Sequence, residues 1–120
     1  MRKKSLGNLG ENLALKYLQN KGYKFIARNF RSRFGEIDLI FQENNNLVFV
    51  EVKLRLNDTY GQPEEAINKW KIASIIKTAQ YFKLLYPKFP DSLRIDVIAI
   101  LYNSLENNII SLRHIKNITM

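Results

Sequence analysis

The 120-residue chain has no cysteine, a single histidine, five glycines and three prolines. Without cysteine there is no disulfide framework, no thiolate zinc site and no cysteine nucleophile. With His114 as the sole histidine, neither a histidine-pair zinc site nor a conventional Ser-His-Asp arrangement can be assembled, and a structural role is expected for it. Glycine is too sparse for a phosphate-cradling loop, since GEIDL at Gly35–Leu39 is too short to be one. No apolar run approaches the ~18 residues of a membrane span, and the basic start MRKKSLGNLG is not followed by an apolar segment. The expectation is a soluble, cytoplasmic protein without a membrane partner. A chain of this length can bury roughly two thirds of its unfolded surface, which leads to one domain over residues 1–120.

Acid is nearly missing from the first third. Residues 1–34 carry nine basic side chains against Glu11 alone, whereas the rest of the chain is balanced at ten of each sign, so the whole formal charge of +8 sits near the start. Such one-sided charge points to nucleic acid first and an anionic membrane second, with a solvated basic face as the plain alternative.

Leu6, Leu9, Leu13 and Tyr17 recur at spacings of three and four, which predicts an amphipathic helix from Ser5 to about Asn20, stopped by Gly22. Three strands are expected at Tyr23–Phe30, Gly35–Gln42 and Leu47–Leu54, with a turn in the asparagine tract at 44–46. Pro63, Glu64 and Glu65 resemble a helix start, with fixed φ and acid at the positive dipole end, and the helix is expected to run to about Tyr86 before Pro87 and Pro90. Leu93–Tyr102 and Ile109–Ile115 read as two more strands joined by an Asn-rich turn. The order α-β-β-β-α-β-β implies an α/β fold with a single mixed sheet flanked by helices.

The stretch LVFVEVKLR raises a specific question, because Glu51 and Lys53 interrupt a run of strand-forming apolar residues. A two-residue loop at Asn44-Asn45 places Leu39 opposite Val50, Phe41 opposite Val48 and Ile37 opposite Val52, an apolar face. On the other face Ile40 meets Phe49, Glu36 meets Lys53, and Asp38 meets Glu51. Facing like charges destabilise a sheet unless something compensates. A hard cation, Mg2+ or Mn2+, would do so through carboxylate oxygens, with Lys53 beside it to orient water or stabilise charge on a phosphate. The plain alternative is a half-exposed strand in which Glu36 and Lys53 form an ordinary cross-strand ion pair, against which stand Asp38 in register on the neighbouring strand, the apolar hairpin and the basic first third.

In order, GNLGENLALKYL, GYKFIARNFR, GEIDLI, FVEVKLR, YGQPEEAI and RIDVIAI resemble the YraN-like family of predicted endonucleases, within the PD-(D/E)XK superfamily. The resemblance implies a restriction-endonuclease-like core and metal-dependent hydrolysis of DNA phosphodiesters, with similarity to Holliday-junction resolvases and hence to branched DNA. Carried over by position, Asp38 and Glu51 match the metal-binding acids and Lys53 the catalytic lysine. Glu11 matches a first-helix glutamate that points toward the metal, and Lys71 a basic position of the second helix. Ile37 stands where the superfamily's name has proline. On its own residues Glu11 also reads as half of a capping box with Asn8.

Lys24, Arg28, Arg31 and Arg33 interleave with Tyr23, Phe25 and Phe30, an arrangement in which aromatics pack inward and cations contact phosphates, and Arg55 and Lys71 join this nucleic-acid-binding set. Arg94 and Asp96 share one strand face and are expected to form an ion pair, with an accessory acid role for Asp96 as the alternative. Trp70 is expected in the core. A homodimer is suggested only by the two cuts a symmetric junction needs. The competing function is a nucleic-acid-binding module of a recombination or uptake assembly that does not cut.

Overall fold

The computed structural model describes residues 3–56 and 67–118, with the side chains of Lys3 and Lys4 left aside. The elements are α1 (Lys3–Asn20), β1 (Lys24–Ser32), β2 (Gly35–Glu43), β3 (Asn46–Arg55), α2 (Lys69–Leu85), β4 (Ser92–Asn103) and β5 (Asn108–Ile115). One five-stranded sheet runs β1-β2-β3-β4-β5. The β3/β4 pair is parallel and the other three are antiparallel. The expected element order and mixed sheet are therefore present.

Local sequence explains the corners. Gly22 takes φ +90, Tyr23 N–H bonds the Leu18 carbonyl and Gly22 N–H that of Gln19, a Schellman closure that ends α1. Asn44, at φ 53, supplies the left-handed residue of the β2–β3 turn. That two-residue loop fixes the register Leu39↔Val50, Ile40↔Phe49 and Phe41↔Val48, as the spacing predicts.

The helices cover opposite faces. Ala14 and Leu18 of α1 pack with Leu39, Phe41, Val48, Val50, Ile98 and Ile100. Ile75, Ala79 and Phe82 of α2 pack with Ile37, Ile40, Leu47, Phe49 and Ile95. Ile37 thus lies on the α2 side, contrary to the face expected for it. Ile37 and Ile40 sit three residues apart in one cluster, so the strand's two-residue alternation slips by one at Asp38.

Three further expectations change. The described part of the second helix starts at Lys69, because Asn68 is extended (φ −117, ψ 176) and caps it by accepting from Lys71 N–H. The proposed start at Pro63, Glu64 and Glu65 lies outside the described residues. Since α1 begins at Lys3, Asn8 is inside the helix and cannot cap it with Glu11. Trp70 is 76% exposed, not a core anchor, because a position two residues into α2 lies outside the cluster gathered by Ile75, Ala79 and Phe82. No helix among the described residues is long and apolar enough to cross a membrane.

Candidate functional site

Beyond Leu39↔Val50 the β2–β3 pairing gives way to a side chain: Val52 N–H donates to Asp38 Oδ2 at 2.8 Å. Asp38 therefore replaces a ladder partner with its carboxylate, which turns it toward Glu51. Glu51 is 4% exposed on the α2 face of the most heavily buried part of β3. Burial first, then a hydrogen bond with Glu51 and that residue's negative charge, push the Asp38 carboxyl up to about 8; the Val52 N–H and the Lys71 charge oppose this. Two carboxyls in contact away from water cannot both ionise at low cost, so one keeps its proton.

Lys71 is the one positive group at an ion-pair distance from this pair among the described residues, its Nζ 3.3 Å from Glu51 Oε2. It does not reach hydrogen-bond geometry, and Glu51 Oε2 remains a buried oxygen without a hydrogen-bond partner. That orphaned oxygen beside a proton-sharing carboxyl is the donor chemistry a hard divalent cation takes. Mg2+ commonly uses one or two carboxylates and completes its shell with water and substrate phosphate. Asp38 and Glu51 fit such an ion. Among the described residues they are not joined by a third acid or histidine into a metal-binding group.

Lys53, two residues on from Glu51 along β3, is half-buried and makes no ion pair with the described residues. Glu36, its alternative partner, is engaged elsewhere by Arg31 and Asn29. Glu11 is held by Arg28 Nε at 3.0 Å and by the Asn29 amide, which also bonds Glu36. The structure thus places Glu11 in a bridge between α1 and the β1–β2 hairpin. Asn29 organises that bridge from φ 54, a left-handed residue inside a strand. Sequence reasoning passed over Asn29; asparagine amid strand formers is the signal that could have found it.

The basic positions separate. Lys24 and Arg33 are exposed, and Arg31 is exposed although ion-paired with Glu36 at 3.0 Å. Arg28 is committed to Glu11 and Asn12. Arg55 is half-buried with its Nε lacking a hydrogen-bond partner. Lys24, Arg28 and Arg31 line the edge strand β1, whereas Lys71 approaches the acidic pair from α2.

On the opposite face, Asp96 (0% exposed) accepts from Arg94 at 2.9 Å twice, from Asn117 N–H, and bonds His114 Nε2 at 2.7 Å. Burial pushes its carboxyl up, but the bonds from His114, Arg94 and Asn117 outweigh this and hold it below the ordinary range. Arg94 also reaches Glu43 and the Tyr23 hydroxyl. The Arg94–Asp96 ion pair is present as expected. The position of Asp96 among α1-side residues separates it from Glu51, so it is a structural anchor and not an accessory acid. His114, wedged edge-on against Tyr17 and Tyr23, belongs to the same anchor.

The chain matches the family described as "Uncharacterised protein family UPF0102" over residues 10–100. It is 46% identical over 111 residues to a UPF0102 protein of Persephonella marina, covering 92% of this chain and 90% of that one. A UPF0102 protein of Clostridium botulinum is 44% identical over 117 residues (95% and 93% covered). One from Syntrophomonas wolfei is 41% identical over 114 residues (95% and 96%).

Proposed function

The chain belongs to the uncharacterised protein family UPF0102, and on that premise we propose that it is a Mg2+- or Mn2+-dependent endonuclease acting on DNA, branched DNA in particular. The observation that carries the reading is the Asp38–Glu51 contact, in which a buried Glu51 oxygen lacks a hydrogen-bond partner and burial beside a second carboxyl pushes the Asp38 carboxyl up to about 8. A sheet gains nothing in stability from two carboxyls placed this way, which is the position expected of a group kept for chemistry.

Asp38 and Glu51 would hold the divalent ion, which supplies charge neutralisation at a phosphate and activation of water. Release of the shared proton frees both carboxyls for that task. Val52 N–H fixes one Asp38 oxygen, so the carboxyl is oriented before any ligand arrives. Lys71 occupies the electrostatic place of a cation beside Glu51, and with a divalent ion bound there its ammonium would be available to a substrate phosphate. Lys53, without an ion pair among the described residues, orients the attacking water or offsets charge building on the phosphate. Exposed Lys24, Arg31 and Arg33, with Arg55, contact the DNA backbone, and Arg28 supports them through its bridge to Glu11.

A second reading, a nucleic-acid-binding module that does not cut, draws on one observation: Glu11 is tied to Arg28 and Asn29. The two are separated by incubating purified protein with single-stranded, duplex, flapped and four-way-junction DNA in Mg2+, Mn2+ or chelator, with Glu51→Gln as the control for contaminating nuclease. Metal-dependent cleavage absent from the variant supports the enzyme. Binding in chelator with no cleavage of any substrate supports the module.

A further inference from the structure

A cleft of about 680 Å3 lies away from the acidic pair, between the β1–β2 turn and α2. Arg31, Arg33, Phe34, Lys77, Tyr81 and Leu84 line it, and no acidic side chain of the described residues does. Phe34 and Tyr81 are 38% and 39% exposed, so part of each ring is open to solvent. Arg33 Cζ stands 5.0 Å from the Phe34 ring centroid and Lys77 Nζ 5.7 Å from it, so cations flank one open ring. Tyr81 is backed by Phe30 at 6.1 Å between centroids.

The turn that presents Phe34 is fastened. Ser74 of α2 donates to the Phe34 carbonyl, Ser32 and Thr78 share a hydrogen bond at 3.0 Å, and Phe34 N–H donates to Ser32 Oγ. Gly35, at φ +149, lets the turn approach this closely, since a Cβ there would meet Ser74 Oγ. A rigid aromatic face ringed by cations is the arrangement that binds single strands: the ring stacks on a base and the cations take the flanking phosphates.

We propose that this cleft binds an unpaired stretch of nucleic acid, with a base against Phe34 and Tyr81 and phosphates at Arg31, Arg33 and Lys77. An apolar protein segment would leave Arg33 and Lys77 without counter-charge, whereas Arg31 already has Glu36. The cleft is joined to the acidic pair by α2. Lys77 lies six residues beyond Lys71, about 9 Å along the helix, and Tyr81 about 15 Å. At roughly 3.4 Å per nucleotide of a stacked strand, the bound base sits about three to five nucleotides from a phosphate at Glu51. That spacing rests on the nuclease reading; the binding itself does not. A substrate with an unpaired segment beside the cut follows, as in a flap, a gap or an opened junction.

The test is fluorescence anisotropy in chelator with labelled oligothymidylate, oligouridylate and a duplex of equal length, using the wild type and the Phe34→Ala/Tyr81→Ala variant, whose melting curve confirms folding. Expected is a loss of roughly 5- to 100-fold in single-strand affinity with duplex affinity within about twofold. The oligouridylate arm tells whether the sugar is read. Photo-crosslinking of a 5-iodouracil oligonucleotide to the wild type, mapped to Phe34 or Tyr81, is the independent readout. Unchanged single-strand affinity in a folded variant, crosslinks confined elsewhere, or competition by anionic vesicles at equal ionic strength overturns the proposal. Because cleavage is not scored, a chain that binds but never cuts refutes the nuclease reading and leaves this one standing.

Discussion

In the metal-free protein, the Asp38 carboxyl makes stability fall as pH rises, the reverse of ordinary acid denaturation. Its ordinary value is 3.8 and its folded value about 8. Between these two, the folded state keeps a proton that the unfolded chain has released, so stability is complete below the lower value and is lost progressively toward the higher one. Each pH unit in that interval is worth about 1.4 kcal/mol, so raising the pH from about 5 to about 7.5 removes roughly 3 kcal/mol. For a chain of this length that lowers Tm by about 12 °C. Asp96 adds no slope there, since it is held below the ordinary range and is ionised in both states. Asp38→Asn keeps an acceptor for Val52 N–H and can donate to Glu51 without titrating. The variant should therefore lack the slope and exceed the wild type at about pH 7.5 by roughly the same 3 kcal/mol. Circular-dichroism melts across this range in chelator, repeated with millimolar Mg2+, measure both. Magnesium should raise the wild-type Tm at the upper pH and leave Asp38→Asn unmoved. Equal slopes in the two proteins, or a flat wild-type profile, would refute a proton held between Asp38 and Glu51.

Lys53→Ala is expected to reduce cleavage at least 100-fold while leaving the pH-dependent melting unchanged, read by single-turnover kinetics on the preferred DNA and the melts just described. Asp96→Ala breaks a buried ion pair, leaving Arg94 with Glu43 as its remaining acid and taking the acceptor from Asn117 N–H, and should cost about 3 to 5 kcal/mol by urea titration, with magnesium binding to the folded fraction preserved. Gly35→Ala combines a strained φ with a collision at Ser74; a loss of about 1 to 3 kcal/mol in the same titration, and weakened single-strand binding, are expected. DNA affinity in chelator should fall steeply with salt, and Arg31→Ala/Arg33→Ala should flatten the slope of log K against log salt by about 2; an unchanged slope would place the DNA elsewhere.

Much of the architecture was already set by local sequence. Period-2 and period-3.6 patterns, Gly22 and the Asn44-Asn45 turn depend on neighbours a few residues away, so they gave the element order and the β2–β3 register as far as Leu39↔Val50, which brings Asp38 and Glu51 onto adjacent strands; the contact itself is made where the Asp38 carboxylate takes Val52 N–H in place of a ladder partner. The Arg94–Asp96 pair was legible for the same reason, being two residues apart on one strand. Contacts across layers were not legible. Lys71 reaches Glu51 and Ser74 reaches Phe34 only because α2 lies over β2 and β3, and the sequence carries no period that relates a helix to a sheet 20 to 40 residues earlier. Ile37 changed faces because a side chain, Asp38, took over a backbone partner, an exchange that binary patterning cannot register. Trp70 left the core because the helix phase was set by Ile75, Ala79 and Phe82 together. What the chain by itself determined is therefore the pair of carboxylates and the sheet that aligns them, since both follow from short-range geometry. The buried proton, the lysine beside it, the bridge that holds Glu11 and the aromatic cleft were decided by tertiary packing, because each depends on desolvation or contact between segments that are neighbours only in the folded protein.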